Sequence, residues 1–316
     1  MINGLLLIDK PAGPTSHDVV DELRRILGQR RVGHTGTLDP MATGLLVMML
    51  GQATRLSQYL ESDEKEYEGT IRLGITTDTL DAQGKILERR SCRLNIAKIK
   101  NEAAGFVGKI KQVPPMVSAV RVDGRRLHQL ARAGKKVERA ARDIEIKSFD
   151  ILTPDNISMP TQVDFHVSCS KGTYIRVLAA ELGERLGCGA HLSRLKRVKS
   201  GHFHLSRALD LHKVESLHKA GLLKQKIISP RAALPDWAEL IVDAVGYRYI
   251  GDGCSLLTSH ILSLDKPVLT TERVKIIGND GKLICLAEAL MDLDNKTKFH
   301  KLPVVSEIAR PVKVFL

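Results

Sequence analysis

The sequence predicts an α+β protein in which a mixed, mostly antiparallel sheet is flanked by helices. Strand-like segments alternate apolar with polar residues, helical segments with one apolar face lie between them in no fixed order, and Gly or Pro residues mark the joins. Pro230 and Pro235 mark a boundary beyond which only short strand-like segments follow. This predicts a large domain over residues 1–236 and a small β-rich domain over 240–316.

The individual elements have local signals. Thr15 and Asp18 form a capping-box pattern before an apolar helical face, and Gly28 suits the position after that helix. Apolar runs or alternation predict strands, and apolar faces of helical period predict two further helices. The predicted strands are 4–8, 45–50, 67–75, 163–169, 267–269, 273–277 and 283–287, and the further predicted helices are 52–61 and 175–186.

The chain is strongly basic, with a formal net charge of +12 over 316 residues. Two segments carry the whole excess. Residues 109–147 have eleven Lys or Arg against four acids, and residues 189–207 have five against none. The five are Arg194, Lys196, Arg197, Lys199 and Arg207. Concentrated positive charge is typical of contacts with nucleic-acid phosphates, although a merely basic protein is the simpler alternative.

Cysteine usage and hydropathy exclude several classes. The five cysteines never have C-x-x-C spacing, which favours a reducing compartment over a zinc site. No signal-peptide pattern is present, and no run approaches the roughly 20 apolar residues that a membrane span requires. We therefore expect a cytoplasmic protein that binds no metal and does not associate with membranes.

The most informative segment is 31–45, RVGHTGTLDPMATGL. Its three glycines and Pro40 argue against a regular helix or strand and predict an ordered loop. Loops of small residues that hold one His, here His34, and one acid, here Asp39, are frequently functional sites. An Asp before Pro can also simply brace a loop, so the residues alone leave both interpretations open.

Residues 34–44 of this loop resemble the catalytic-loop motif of the bacterial tRNA pseudouridine-55 synthases, the TruB type, where the number refers to the tRNA position. Six further segments resemble motifs of that family in the family's order, so that the resemblance covers about 2–205. They are 7–11 (LIDKP), 65–67 (KEY), 77–81 (TDTLD), 113–119 (VPPMVSA), 171–176 (KGTYIR) and 192–197 (LSRLKR).

The resemblance implies isomerisation of the T-loop uridine at tRNA position 55 to pseudouridine, by base flipping and covalent catalysis with Asp39 as nucleophile. It also implies the roles of seven other residues. Tyr67 would stack on the flipped uracil, Leu195 would form an apolar wall of the uracil pocket, and Tyr174 would be a second active-site tyrosine and a candidate acceptor of the C5 proton. Arg176 would pair with Asp39, and Asp81 would orient Arg176. Lys10 would brace the active-site loops, and His34 would fill the space that the extruded base leaves.

Physical chemistry agrees with these roles. An extruded base recovers part of its lost stacking on an aromatic ring. An Arg beside a carboxylate positions it and lowers its pKa, so we expect the pKa of Asp39 to be lowered by Arg176.

The resemblance also implies the partners. We expect the T-arm of tRNA as the substrate, a thumb-like basic insert at about 121–142 that grips it, and a PUA-like, RNA-binding domain over 240–316. The reaction needs no cofactor, and we expect a monomer without an obligate protein partner.

The alternatives are separable on the sequence. A zinc deaminase would need H-x-E and P-C-x-x-C, and neither is present. An EF-hand starting at Asp78 fails because its twelfth position is Arg89. A non-catalytic RNA-binding protein would explain the charge but not the Asp39 loop. A guide-RNA-dependent pseudouridine synthase subunit shares the catalytic motifs, but it lacks the basic insert.

Overall fold

The structure is a computed structural model that describes residues 1–60, 64–116, 137–294 and 306–315, together with the backbone of 121–122 and 125–126. Most of the insert at 121–142, including Lys135, therefore lies outside the described residues. The helices are α1 (Ser16–Leu27), α2 (Ser57–Leu60), α3 (Ile96–Ala104), α4 (Ile175–Arg185), α5 (Leu211–Lys219) and α6 (Ala244–Gly251).

Strands form the larger part of the architecture. Those before the C-terminal region are β1 (Gly4–Lys10), β2 (Val32–Thr35), β3 (Thr43–Leu50), β4 (Glu64–Leu73), β5 (Ile75–Thr77), β6 (Ile86–Arg89), β7 (Gly108–Gln112), β8 (Arg121–Val122), β9 (Arg125–Arg126), β10 (Arg142–Ile151), β11 (Gln162–Ser170), β12 (Ala190–Ser200) and β13 (Phe203–His204). The C-terminal strands are β14 (Ala238–Val242), β15 (Leu256–Leu257), β16 (Ile261–Leu264), β17 (Arg273–Gly278), β18 (Leu283–Ala289) and β19 (Glu307–Val314).

Two large sheets organise the described chain. The first has the order β1-β3-β12-β4-β11-β10-β7, with β2 beside β3 and β13 beside β12. Its pairs are antiparallel except for β3 with β12. The second sheet has the order β15-β19-β18-β17-β14-β16, and there β14 pairs parallel with β17. The predictions of a mixed, mostly antiparallel sheet and of a β-rich C-terminal region are confirmed.

The first strand shows why the early apolar run has no polar face. Leu6 and Ile8 of β1 pack with the helices in the core of the first sheet. Leu5 and Leu7 point to the other side, where they pack in a core that also contains Ile277 of the second sheet. Strands buried on both faces are continuously apolar, so the same reason applies to β3.

The predicted cap of α1 is present in full. The backbone N–H of Asp18 donates to Thr15 Oγ1 over 3.1 Å, and the backbone N–H of Thr15 donates to Asp18 Oδ2 over 2.7 Å. Gly28 ends the helix with a φ of 61°. The reciprocal bonds satisfy two backbone donors at the start of the helix.

Three local predictions need correction. Residues 32–35 and 43–45 of the predicted loop are strand, so the loop itself is 36–42. Residues 267–269 form no strand, since Val268 makes an isolated bridge. The helix over 52–61 is a 3-10 helix followed by the single turn α2. β12 was not predicted, because two bulges interrupt its alternation.

We expect Gly44→Ala to destabilise the protein much more than Gly28→Ala. Both glycines have positive φ, 95° and 61°, so both substitutions strain the backbone. A Cβ at Gly28 meets nothing within 4 Å, whereas a Cβ at Gly44 would overlap the carbonyl oxygen of Arg197 on β12. The free energy of unfolding in urea should fall by about 1 kcal/mol for Gly28→Ala and by about 3 kcal/mol or more for Gly44→Ala. Equal losses would contradict the close approach of β3 and β12.

Candidate active site

Side chains from several elements hold the loop 36–42 in place. Ser16, at the start of α1, accepts the N–H of Leu38 on its Oγ over 2.9 Å and donates to the carbonyl of Leu38 over 3.1 Å. Lys10, at the end of β1, is fully buried and donates from Nζ to the carbonyls of Pro40 (3.3 Å) and Ala42 (2.8 Å). Both ends of the acidic segment are therefore fixed to regular secondary structure.

Arg197 on β12 supports the start of the same loop. Its Nε donates to the carbonyl of Leu45 over 2.7 Å and its Nη2 to the carbonyl of Gly36 over 2.8 Å. The side chain is 1% exposed. The expectation that Arg197 contacts phosphate is therefore wrong, because this guanidinium binds backbone carbonyls inside the protein.

The loop places Asp39 against Arg176 in the first turn of α4. Arg176 Nη2 donates to Asp39 Oδ1 over 3.1 Å, and Arg176 Nε lies at the ion-pair distance of 2.9 Å from Asp39 Oδ2. The Arg176 side chain is 4% exposed, while that of Asp39 is 35% exposed. The carboxylate is thus held from behind by a buried cation and is open on its other side.

A second carboxylate holds Arg176 from the opposite side. Arg176 Nη1 lies 3.4 Å from Asp81 Oδ2 and donates to the carbonyl of Thr79 over 3.1 Å. Thr79 Oγ1 and the N–H of Gln83 in turn donate to Asp81 Oδ1. Leu80, between these residues, has a φ of 64°, a strained conformation of the kind that concentrates at functional sites.

Burial sets the electrostatics of this group. It raises the pKa of Asp39 above the ordinary carboxyl value, with the charge of Asp81 acting in the same direction and that of Arg176 in the opposite one. Arg176 lowers the pKa of Asp39, as expected, but desolvation of the carboxylate outweighs that effect. Burial also lowers the pKa of Lys10 to about 8, and the charge of Asp39 opposes that shift.

Asp39 lies in a cleft of about 530 Å³. Five of the predicted residues line it: Asp39, Tyr67, Tyr174, Arg176 and Leu195. Tyr67 is buried opposite Arg197 in the register of β4 and β12, and burial raises the pKa of its hydroxyl. A cleft of this size, with aromatic and apolar side chains around Asp39 and a second carboxylate, Asp143, at its exposed edge, suits a small planar ligand.

The other three predicted residues lie outside the cleft lining. Lys10 and Asp81 act from behind, through the loop and through Arg176. His34 lies on β2, and its Nδ1 is buried without a hydrogen-bond partner among the described residues. Burial and the nearby charge of Arg197 lower the pKa of His34, which favours the neutral ring.

Sequence reasoning missed three positioning side chains. Arg197 ends the 192–197 motif but looks like a surface cation, and Ser16 looks like an ordinary helix start. Gln112 binds the backbone of Tyr174, from its place next to the 113–119 motif. No local pattern marks any of the three, because their partners are backbone atoms far away in sequence.

The described residues contain neither a cluster of metal-ligating side chains nor a helix that could span a membrane. Three or more His, Cys, Asp or Glu side chains with the proximity needed to share a metal ion do not occur there. Across the same residues, every helix is too short or too polar to cross a membrane.

Comparison with known proteins decides the family. Residues 24–175 match the TruB family pseudouridylate synthase N-terminal domain, and 176–234 match the tRNA pseudouridylate synthase B C-terminal domain. The chain belongs to the TruB pseudouridylate synthase family. The two matched regions together contain seven of the eight predicted site residues, all except Lys10.

Similar proteins cover a larger share of the chain than the two matched regions do. The protein named tRNA pseudouridine synthase B from Geobacter sulfurreducens is 41% identical over 296 residues, which cover 92% of this chain and 95% of that protein. The protein of the same name from Opitutus terrae is 48% identical over 233 residues, 73% of this chain and 95% of that one.

Solved structures support the same fold. A chain in the crystal structure of a Cbf5-Nop10-Gar1 complex superimposes with a TM-score of 0.72 and 26% identity, covering 99% of this chain and 85% of that one. An archaeal box H/ACA sRNP Nop10-Cbf5 complex gives a TM-score of 0.70 at 25% identity, with 99% and 86% covered.

We expect Asp39 to titrate above the ordinary Asp value of 3.8 and to titrate lower in Asp81→Asn. Removing the Asp81 charge stabilises the ionised form of Asp39, so its pKa must fall. The measurement is ¹³C NMR of Asp-labelled protein, with Asp39 assigned from Asp39→Asn. The control is Asp143→Asn, a carboxylate at the exposed edge of the same cleft, which should leave the Asp39 titration unmoved. An unmoved titration in Asp81→Asn would rule out coupling between the two carboxylates.

Proposed function

We propose that this protein isomerises a uridine of tRNA to pseudouridine, at position 55 of the T-loop. One observation carries the proposal: Asp39 and Arg176 form an ion pair in a cleft that Tyr67, Tyr174 and Leu195 line. Membership of the TruB family and the shared name of its relatives, tRNA pseudouridine synthase B, support both the reaction and the substrate.

The reaction conserves atoms and needs no redox partner. The N1–C1′ glycosidic bond breaks, the uracil turns, and a C5–C1′ bond forms. C5 then loses a proton, and N1 gains one. A carboxylate nucleophile divides this exchange into steps by forming a transient bond to the uridine, provided that it is ionised. Asp39 is the carboxylate in position, and Arg176 orients it and stabilises its charge.

The remaining residues receive roles from their places around the cleft. Tyr67 stacks on the flipped uracil, Leu195 closes its other side, and Tyr174 is the candidate acceptor for the C5 proton. His34, on the strand that precedes the loop, fills the space that the extruded base leaves. Stacking in the pocket recovers part of the energy lost on extrusion, which is a few kcal/mol.

The basic segments supply RNA contacts. We assign residues 1–236 to catalysis, the insert at about 121–142 to the grip on the T-arm, and 240–316 to a PUA-like domain that binds RNA. The protein acts in the cytoplasm as a monomer, without guide RNA, protein partner or cofactor. Shape and splayed bases, more than base-paired sequence, identify a folded RNA arm.

Asp39→Asn should abolish isomerisation and leave RNA affinity within about threefold, since it removes the nucleophile but little contact area. Turnover should fall more than about a hundredfold, or ~2.7 kcal/mol of barrier. The matched control is Asp143→Asn at the edge of the same cleft, which should keep wild-type turnover. Measurable turnover above a hundredth of wild type in Asp39→Asn would exclude Asp39 as the nucleophile.

The purified chain should modify an unmodified T-arm hairpin transcript without any addition. The warrant is that one polypeptide carries the cleft and both basic segments. The assay maps pseudouridine in the hairpin, in a buffer free of divalent ions, with the Asp39→Asn protein as the blank. If the hairpin is modified only after a guide RNA or a second protein is added, the guide-dependent alternative is correct.

A further inference from the structure

Gln112 is a buried amide that binds both backbone groups of Tyr174. Its side chain is 2% exposed and stands at the end of β7. The N–H of Tyr174 donates to Gln112 Oε1 over 2.7 Å, and Gln112 Nε2 donates to the carbonyl of Tyr174 over 3.2 Å. Two bonds from one planar group fix the position and the rotation of the residue that they hold.

The position of Tyr174 affects both the cleft and the start of α4. Tyr174 is the residue before α4, and its own side chain caps no backbone N–H of the helix. Its carbonyl also accepts the N–H groups of Val177 and Leu178, both over 3.1 Å, so the clamp acts on the first turn of the helix. Arg176 lies in that turn. A displacement at Tyr174 therefore moves both the tyrosine in the cleft and the cation behind Asp39.

Gln112 also stands at the root of the basic insert. It pairs with Arg142 in the register of β7 and β10, and these two residues are where the chain leaves the sheet and returns to it. Arg139 Nη1 donates to the carbonyl of Pro114 over 2.9 Å and so ties the two sides of the insert together near that point. Gln112 thus connects the base of the insert with Tyr174 in the cleft, whose lining also includes Arg142.

We propose that Gln112 is a positioning residue that sets Tyr174 and Arg176 for the reaction and couples them to the base of the basic insert. The inference rests on the proposed function for its kinetic consequence. Its structural part, the orientation of Tyr174, can be measured without any substrate.

The chain contains a close control for this clamp. Gln29 is 9% exposed and binds Ile2 in the same way: the N–H of Ile2 donates to its Oε1 over 2.9 Å, and its Nε2 donates to the carbonyl of Ile2 over 3.2 Å. Ile2 does not line the cleft. Gln29→Met therefore removes an equivalent pair of bonds, together with a 3.4 Å bond from Nε2 to the carbonyl of Arg31, at a residue that does not line the cleft.

The experiment compares Gln112→Met and Gln29→Met with wild type on the T-arm hairpin, under single turnover at saturating enzyme. We expect Gln112→Met to lower the rate about 10- to 100-fold, because small misplacements of reacting groups have effects of that size, while its Kd for the hairpin changes less than threefold. Gln29→Met should lose thermal stability but keep the wild-type rate. If Gln112→Met folds poorly, Gln112→Asn takes its place, because it keeps an amide but is too short to make both bonds. It should show the same loss of rate.

A measurement without substrate tests the orientation of Tyr174 by Gln112 separately from its effect on the reaction rate. The protein has five tyrosines, so ¹⁹F NMR of 3-fluorotyrosine-labelled protein gives few resonances, and Tyr174→Phe assigns the relevant one. Gln112→Met should shift or broaden the Tyr174 resonance and leave those of Tyr247 and Tyr249 in place.

An unchanged Tyr174 resonance, or an unchanged rate beside an active wild type, would overturn the role of Gln112. A wild-type protein that makes no pseudouridine would overturn the proposed function instead, and the NMR result would still decide the clamp.

Discussion

The buried contact between Asp39 and Arg176 is the interaction on which the rest of the site depends. Arg176 lies between two carboxylates, those of Asp39 and Asp81, and is almost without solvent. Taking a charge out of water is unfavourable unless a partner compensates it. Removing Asp39 and removing Arg176 should therefore destabilise the site to different extents. Without Asp39 the guanidinium keeps Asp81, whereas without Arg176 two carboxylates lose the cation that joins them.

This contact also explains why so much of the protein supports one short loop. Ser16, Lys10 and Arg197 come from three different elements, and each binds backbone carbonyls of the loop or the residues beside it. Backbone held in this way keeps its geometry when the ligand arrives, so no reorganisation is needed at the moment of reaction. Burial of Asp39 itself in this rigid setting raises its pKa.

Local sequence patterns predicted features that depend on neighbouring residues. They failed to predict the roles of side chains whose partners are distant in sequence. The capping box at Thr15 and the apolar run of β1 could be read directly, and the resemblance identified the loop around Asp39. Arg197 was misassigned, because a basic segment looks the same whether its members face solvent or a carbonyl. The lowering of the Asp39 pKa by Arg176 was predicted, but the larger opposing effect of burial was not, since the sequence does not show desolvation. Gln112 has no signal, because the atoms it binds are 62 residues away.

Basic side chains that are bound within the protein must be distinguished from those available to RNA when the net charge is used to predict RNA binding. Of the five basic residues in 189–207, Arg197 is committed to the loop and Lys199 pairs with Glu66 over 2.7 Å. Arg194 stands in contrast, since its 3.6 Å contact with Asp164 is solvent-exposed on both sides, and such pairs contribute little and yield readily to a phosphate. Counterions leave the RNA when a protein cation neutralises a phosphate. Only side chains that can exchange their carboxylate or carbonyl partner for a phosphate contribute to that release. The salt dependence of affinity should therefore be shallower than the formal charge of +12 implies, and most of it should arise from the 109–147 segment.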